Sequence, residues 1–135
     1  MRIERRGGAL LLVVLLAIGL AGCRLFPVVV TDADAGSIHA VDVGDTVEVR
    51  LPGNASTGYE WIRTAPDPLD GHPLEIIEEG AYKVGTSGIH PVGEPGEFRF
   101  RYRAVDHGTM TLVFAYRRPW EPEPIEVLSF VVWVR

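Results

Sequence analysis

The chain has 135 residues and a formal net charge of −5. That length holds one modest domain, and an apolar content of 47% supplies a packed core for it. An acidic balance argues against a nucleic-acid binder, which needs a basic face, and the histidines His39, His72, His90 and His107 are scattered without metal-ligand spacing.

The N-terminus opens on a short basic head, Met1 to Arg6, followed by an apolar run from Ala9 to Leu20. A membrane-spanning helix needs about 20 apolar residues, so the shorter run reads as a secretory leader. It ends in Leu20-Ala21-Gly22-Cys23, which resembles a bacterial lipoprotein signal, where cleavage precedes the cysteine and the thiol takes the lipid. Cys23 is the only cysteine. An exported domain with one thiol forms no internal disulfide, and lipidation accounts for the residue. Several acyl chains on one cysteine anchor stably, whereas a single chain binds marginally. An incidental cysteine at the end of an uncleaved anchor is the alternative.

The expected division is a leader over 1–22, a lipidated cysteine and tether over 23–36, and a folded domain over 37–135. The leader holds three arginines and one glutamate, so the remaining 113 residues carry a net charge of −7. A surface of that sign does not seek anionic lipid, so the lipid itself must anchor. Resemblance to Gram-negative lipoproteins, with Arg24 and not aspartate after the cysteine, favours an outer-membrane location facing the periplasm or exterior.

Beyond the leader, Phe26 to Thr31 reads as an edge strand, Asp32 to Gly36 as a turn or tether, and Ser37 to Val43 as a short strand. Thr46 to Leu51 alternates, with Val47, Val49 and Leu51 on one face and Thr46, Glu48 and Arg50 on the other. A polar turn follows, Asn54-Ala55-Ser56-Thr57-Gly58, and then Tyr59-Glu60-Trp61, with Trp61 expected deep between sheets. Leu74 to Lys83 fits a helical turn or strands; Gly80 and Tyr82-Lys83-Val84 tilt it to strands.

Gly85 to Gly96 is loop, dense in glycine and proline. Glu97 to Val105 is the clearest strand, alternating Phe98, Phe100, Tyr102 and Ala104 with Arg99, Arg101 and Arg103. Those arginines are expected on a solvated face, paired with cross-strand acids. Thr109 to Arg117 runs back as a strand rich in β-formers. After Arg118-Pro119-Trp120 comes a last strand over Ile125 to Arg135, with both faces apolar enough to be buried.

Short strands separated by turn signals, with no long helical period, define an all-β chain. The expectation is an immunoglobulin-like antiparallel β-sandwich of seven to eight strands. Loops of a sandwich gather at its ends.

Three loops, in order, carry a resemblance. Asn54-Ala55-Ser56-Thr57-Gly58-Tyr59 with Trp61, Gly93-Glu94-Pro95-Gly96, and Arg118-Pro119-Trp120 resemble the three motifs of the chagasin-like family of cysteine peptidase inhibitors. Ala55 stands where the family has proline and Ser56 where it has threonine. Pro95 stands where the second motif has glycine, while the third motif is intact.

The resemblance implies a monomer without cofactor or catalysis, whose loops wedge into the cleft of papain-like cysteine peptidases. Asn54, Ser56, Thr57 and Gly58 would form the tip, with the two hydroxyls reaching the enzyme's thiol and histidine. Gly93, Pro95 and Gly96 would lie along the cleft, Pro95-Gly96 in a type II turn with the glycine third. Arg118, Pro119 and Trp120 would supply the aromatic contact, the arginine bracing the loop or pairing with an enzyme carboxylate.

From the residues alone, Trp120 is equally a core residue. A lipid-anchored adhesion or envelope-assembly module without a peptidase partner is the rival. It separates from the inhibitor by whether Ser56, Thr57 and Trp120 are exposed together.

Overall fold

The computed structural model describes residues 24–85 and 93–135. Alternation decides the strands. In β3 (Thr46–Gly53) and β6 (Gly96–Ala104), Val47, Val49 and Leu51 pair in register with Tyr102, Phe100 and Phe98, and all six are buried. Because side chains point to opposite faces in turn, that single register commits one face of both strands to the core. The sheet is completed by β1 (Val28–Thr31) and β5 (Leu74–Val84), in the order β1-β3-β6-β5.

The second sheet has the order β2-β8-β7-β4, from β2 (Ile38–Val41), β8 (Glu126–Val134), β7 (Gly108–Arg117) and β4 (Glu60–Ala65). Its inward Leu112, Phe114, Phe130 and Val132 close on the first sheet. Phe100 and Phe114 meet across the gap at 4.7 Å between ring centroids, and Phe114 meets Phe130 edge-on at 5.9 Å. Trp61 is buried, as alternation requires, and stacks on Tyr116 at 4.9 Å. The eight strands make the expected β-sandwich.

Three features differ from the sequence reading. The sandwich is antiparallel except at two edges, where β1 runs parallel to β3 and β2 parallel to β8. The cause is a sheet switch between β1 and β2 at a 3₁₀ turn over Asp32–Asp34. There the Asp34 carboxylate accepts from the Thr31 amide at 2.8 Å and the Thr31 hydroxyl at 3.0 Å. Those two bonds hold the Asp34 carboxyl below its usual range, the backbone donor contributing most.

The edge strand read over Phe26 to Thr31 is present as β1, with Val30 fully buried, and the turn read over Asp32 to Gly36 begins with the 3₁₀ turn. The last strand buries only one face: Val127 and Trp133 stand 55% and 48% exposed, because no further layer among the described residues covers that side of the sheet. Glu48, assigned to a polar face, is buried, because Arg50, Arg99 and Arg101 close over it at 2.5, 3.6 and 3.3 Å. The arginine face does pair with cross-strand acid, since Glu48 stands opposite Arg101.

Candidate functional site

The strand directions put the ends of β3 and β7 and the starts of β4 and β6 at one pole. All three loops of interest emerge there. The first is a 3₁₀ turn over Ala55–Thr57. Asn54 caps it, its Oδ1 accepting from the Ser56 amide at 3.1 Å and the Ser56 hydroxyl at 2.6 Å. The Thr57 hydroxyl donates to the Asn54 carbonyl at 2.6 Å. Gly58 ends the turn with φ of 80°, a left-handed conformation that glycine adopts without steric cost.

The loops are tied to one another. The Asn54 side-chain amide donates to the Gly93 carbonyl at 2.8 Å, joining the first loop to the second. Arg118 Nε donates to the Thr57 carbonyl at 3.0 Å, joining the third loop to the first. Trp120 covers Gly58 so closely that an added Cβ would lie 2.7 Å from its Cη2, yet the indole is 70% exposed. The Arg118 guanidinium stacks 4.3 Å above the Tyr59 ring and pairs with Glu121 at 3.1 Å. It therefore braces the loop from within. Ser56, Thr57, Pro119 and Trp120 are exposed on the same edge.

Two expectations about this edge change. Both tip hydroxyl protons are spent inside the loop, so Ser56 and Thr57 present oxygen acceptors outward and not free donors. Gly96 is not the third residue of a type II turn: its φ is not positive, and Gly93 has the left-handed φ of 92°. Gly96 is instead required by a close approach, since a Cβ there would lie 2.4 Å from the Lys83 carbonyl on β5.

Beneath the loops lies an aromatic floor that the motifs do not reveal. The Tyr116 hydroxyl accepts from the Asn54 amide at 3.1 Å, Trp61 Nε1 donates to the Pro52 carbonyl at 2.9 Å, and the Tyr82 hydroxyl donates to the Glu94 carbonyl at 3.3 Å. Each ring is packed in or against the core while its polar atom holds a loop. The available signal was aromatic residues within two or three positions of a loop; for Glu121, it was the spacing of three from Arg118. Among the described residues, no group of three or more His, Cys, Asp or Glu side chains could hold a metal ion. Cys23 lies outside the described residues.

Fold and site together define a protein of a particular build: a β-sandwich that presents three loops, bonded to one another, at one end. Residues 40–134 match the model of the chagasin family peptidase inhibitor I42. The chain belongs to that family, and it is a peptidase inhibitor, not an enzyme.

It is 28% identical over 110 residues to chagasin of Trypanosoma cruzi, covering 78% of this chain and 94% of that protein. It is likewise 28% identical over 104 residues to amoebiasin-2 of Entamoeba histolytica, covering 76% and 80%. Among solved structures, the Entamoeba histolytica cysteine protease inhibitor EhICP2 superposes with a TM-score of 0.65 at 24% identity, over 79% of this chain and 93% of that one. The solution structure of amebosin gives 0.65 at 22% identity, over 82% and 99%. Both likenesses share the fold.

Proposed function

We propose that the chain inhibits papain-like cysteine peptidases by seating its three-loop edge in the catalytic cleft. The observation that carries this reading is the exposure of Thr57 and Trp120 on one edge whose loops are already bonded together. Binding then orders little that is not ordered beforehand, which lowers the entropic cost of association. Trp120 offers a large rigid apolar contact, the type that dominates binding hot spots.

Such a loop resists cleavage for a geometric reason. Attack on a peptide needs its carbonyl aligned close to the nucleophile. Here the carbonyls of Asn54 and Ala55 accept the amides of Thr57 and Gly58, both at 3.1 Å, and the Thr57 carbonyl is held by Arg118. The backbone at the tip is a wound turn, and unwinding it into an extended strand breaks each of those bonds. The tip fills the site without becoming a substrate.

The protein acts from a membrane in this reading: residues 1–22 are removed on export and Cys23 carries the lipid, leaving the domain facing the periplasm or the exterior. The rival reading, an adhesion or envelope-assembly module, accommodates a buried Trp120 with contacts on a sheet face. The exposed indole favours the inhibitor. The test is a titration of papain and of a cathepsin L-type peptidase with residues 24–135, following residual activity. Saturable inhibition at nanomolar to micromolar concentration with the domain left intact is expected. A domain that is degraded while activity persists contradicts the wedge.

A further inference from the structure

We infer that the pole opposite the three loops is a lipid-resting face, against which the anchored protein sits and from which its loops point outward. The inference rests on the attachment through Cys23 proposed above and adds the orientation that such an attachment imposes.

The chain's path fixes the pole at which Arg24, the residue after Cys23, joins the body. Strand β3 runs from the turn at Asp45 toward the loop end at Gly53, and β1 runs parallel to it with Val28 beside Val47. Residues before Val28 therefore leave at the Asp45 pole. Arg24 is held there: its backbone N–H donates to Asp45 Oδ1 at 3.4 Å, and its guanidinium lies 3.7 Å from Asp45 Oδ2. Asp45 is itself buried, in the turn between β2 and β3. Cys23 is one peptide bond from Arg24, so in this reading the lipid is attached next to a residue that is held to the body.

The surface at that point is suited to lipid. Leu25 and Phe26, next to the attachment residue, are 94% and 80% exposed. Val43 and Val105 are also exposed, on two turns that adjoin through Gly44 N–H to the Ala104 carbonyl at 2.8 Å. Large apolar side chains with no protein to cover them, beside an acyl chain, gain burial when they enter the boundary of headgroups and acyl chains.

The Asp42 and Asp45 carboxylates at the pole are matched by Arg135 at 3.2 Å and by Arg24, while Asp70 and Asp106 on the adjoining turns are exposed. The pole therefore does not seek anionic headgroups, and the acyl chains with the apolar side chains supply the attraction. The occupant is lipid and not a second protein because the acyl chains that Cys23 carries in this reading are attached next to Arg24, which is held at this pole. Any other partner would have to displace the bilayer that those chains enter.

The orientation governs which peptidases are met. The eight residues of β3 span roughly 26 Å at the usual strand rise. The inhibitory edge therefore faces peptidases that approach from solution, with its contact surface clear of the headgroups.

The test uses the full chain, processed in a bacterial host and reconstituted into vesicles of phosphatidylethanolamine and phosphatidylglycerol, with and without a bromine-labelled phosphatidylcholine that quenches tryptophan on contact. A Phe26→Trp variant reports the lipid-resting pole, and a Trp120→Phe variant assigns the emission of the loop edge. Residue 26 is exposed, so the replacement leaves the fold intact.

The expected result is that the added tryptophan loses most of its emission to the brominated lipid while the Trp120 contribution is unchanged. Protein that floats with the vesicles but shows no quenching at position 26, or shows quenching of Trp120, overturns the orientation and leaves the attachment standing. Protein that does not float overturns the attachment and the orientation with it.

Discussion

Replacing Gly58 by alanine separates the shape of the inhibitory edge from the stability of the fold. The residue holds φ of 80°, and a side chain in that conformation costs about 1 kcal/mol. Its new methyl group would stand 2.7 Å from Cη2 of Trp120, too close to be accommodated in place. The atom it meets is the far end of an indole that is 70% exposed, so the ring swings away and the core is untouched.

Stability should fall by about 1 kcal/mol, or about 4–8 °C in Tm for a domain of this size. Affinity loses more, because the hot-spot ring is no longer seated: about 2 kcal/mol, or roughly 30-fold in the inhibition constant. Denaturant melts and papain titrations on the same preparation measure both. An unchanged inhibition constant would refute the claim that Gly58 seats Trp120, and a stability loss above about 3 kcal/mol would show that the methyl meets something less yielding than a surface ring.

Trp120→Ala should leave stability within about 0.5 kcal/mol, the range of surface substitutions, while weakening inhibition by about 30-fold or more; equal affinity removes the ring from the contact. Glu48→Gln leaves three arginines around a buried neutral amide and should cost about 2 kcal/mol, below the figure for fully buried pairs because those arginines reach solvent; an unchanged denaturant midpoint shows that water already balances them. Burial pushes the Tyr102 hydroxyl far above its ordinary value of 10.0, with the Glu79 carboxylate adding to the shift. Since the folded-state value is the higher, the neutral phenol contributes its full stability below about pH 10 and that contribution is lost as pH rises further. Tyr102→Phe should therefore flatten the alkaline loss of stability, and identical melts of the two proteins at about pH 11 would contradict the assignment.

Much of this was legible in the chain. The alternation of Phe98, Phe100, Tyr102 and Ala104 against three arginines fixes both the strand and its inner face, because period two admits only one division of those side chains. The loops were legible too, since Asn54, Gly58, Gly93 and Arg118-Pro119-Trp120 are turn and contact residues in a recognisable order. What escaped depends on neighbours brought from far along the chain. Glu48 is buried only because Arg99 and Arg101 reach it from β6.

Gly96 has the look of a turn residue, yet its constraint comes from the Lys83 carbonyl of the adjoining strand. The parallel edges follow from a single 3₁₀ turn that transfers the chain between sheets, a choice with no periodic signature. Tyr116 holds the Asn54 amide across 62 positions of sequence; its place two residues before Arg118 marks it as close to a loop but does not tell which loop it braces.

The most direct test of the central claim is competition for the cleft itself. Papain is prepared with its catalytic cysteine free, or with that cysteine carrying a peptidyl blocking group that fills the cleft, and binding of residues 24–135 to each is measured by calorimetry. If the three loops occupy the cleft, the free enzyme binds one equivalent and the blocked enzyme binds none. Equal affinity for the two forms would place the contact elsewhere on the peptidase and contradict the wedge.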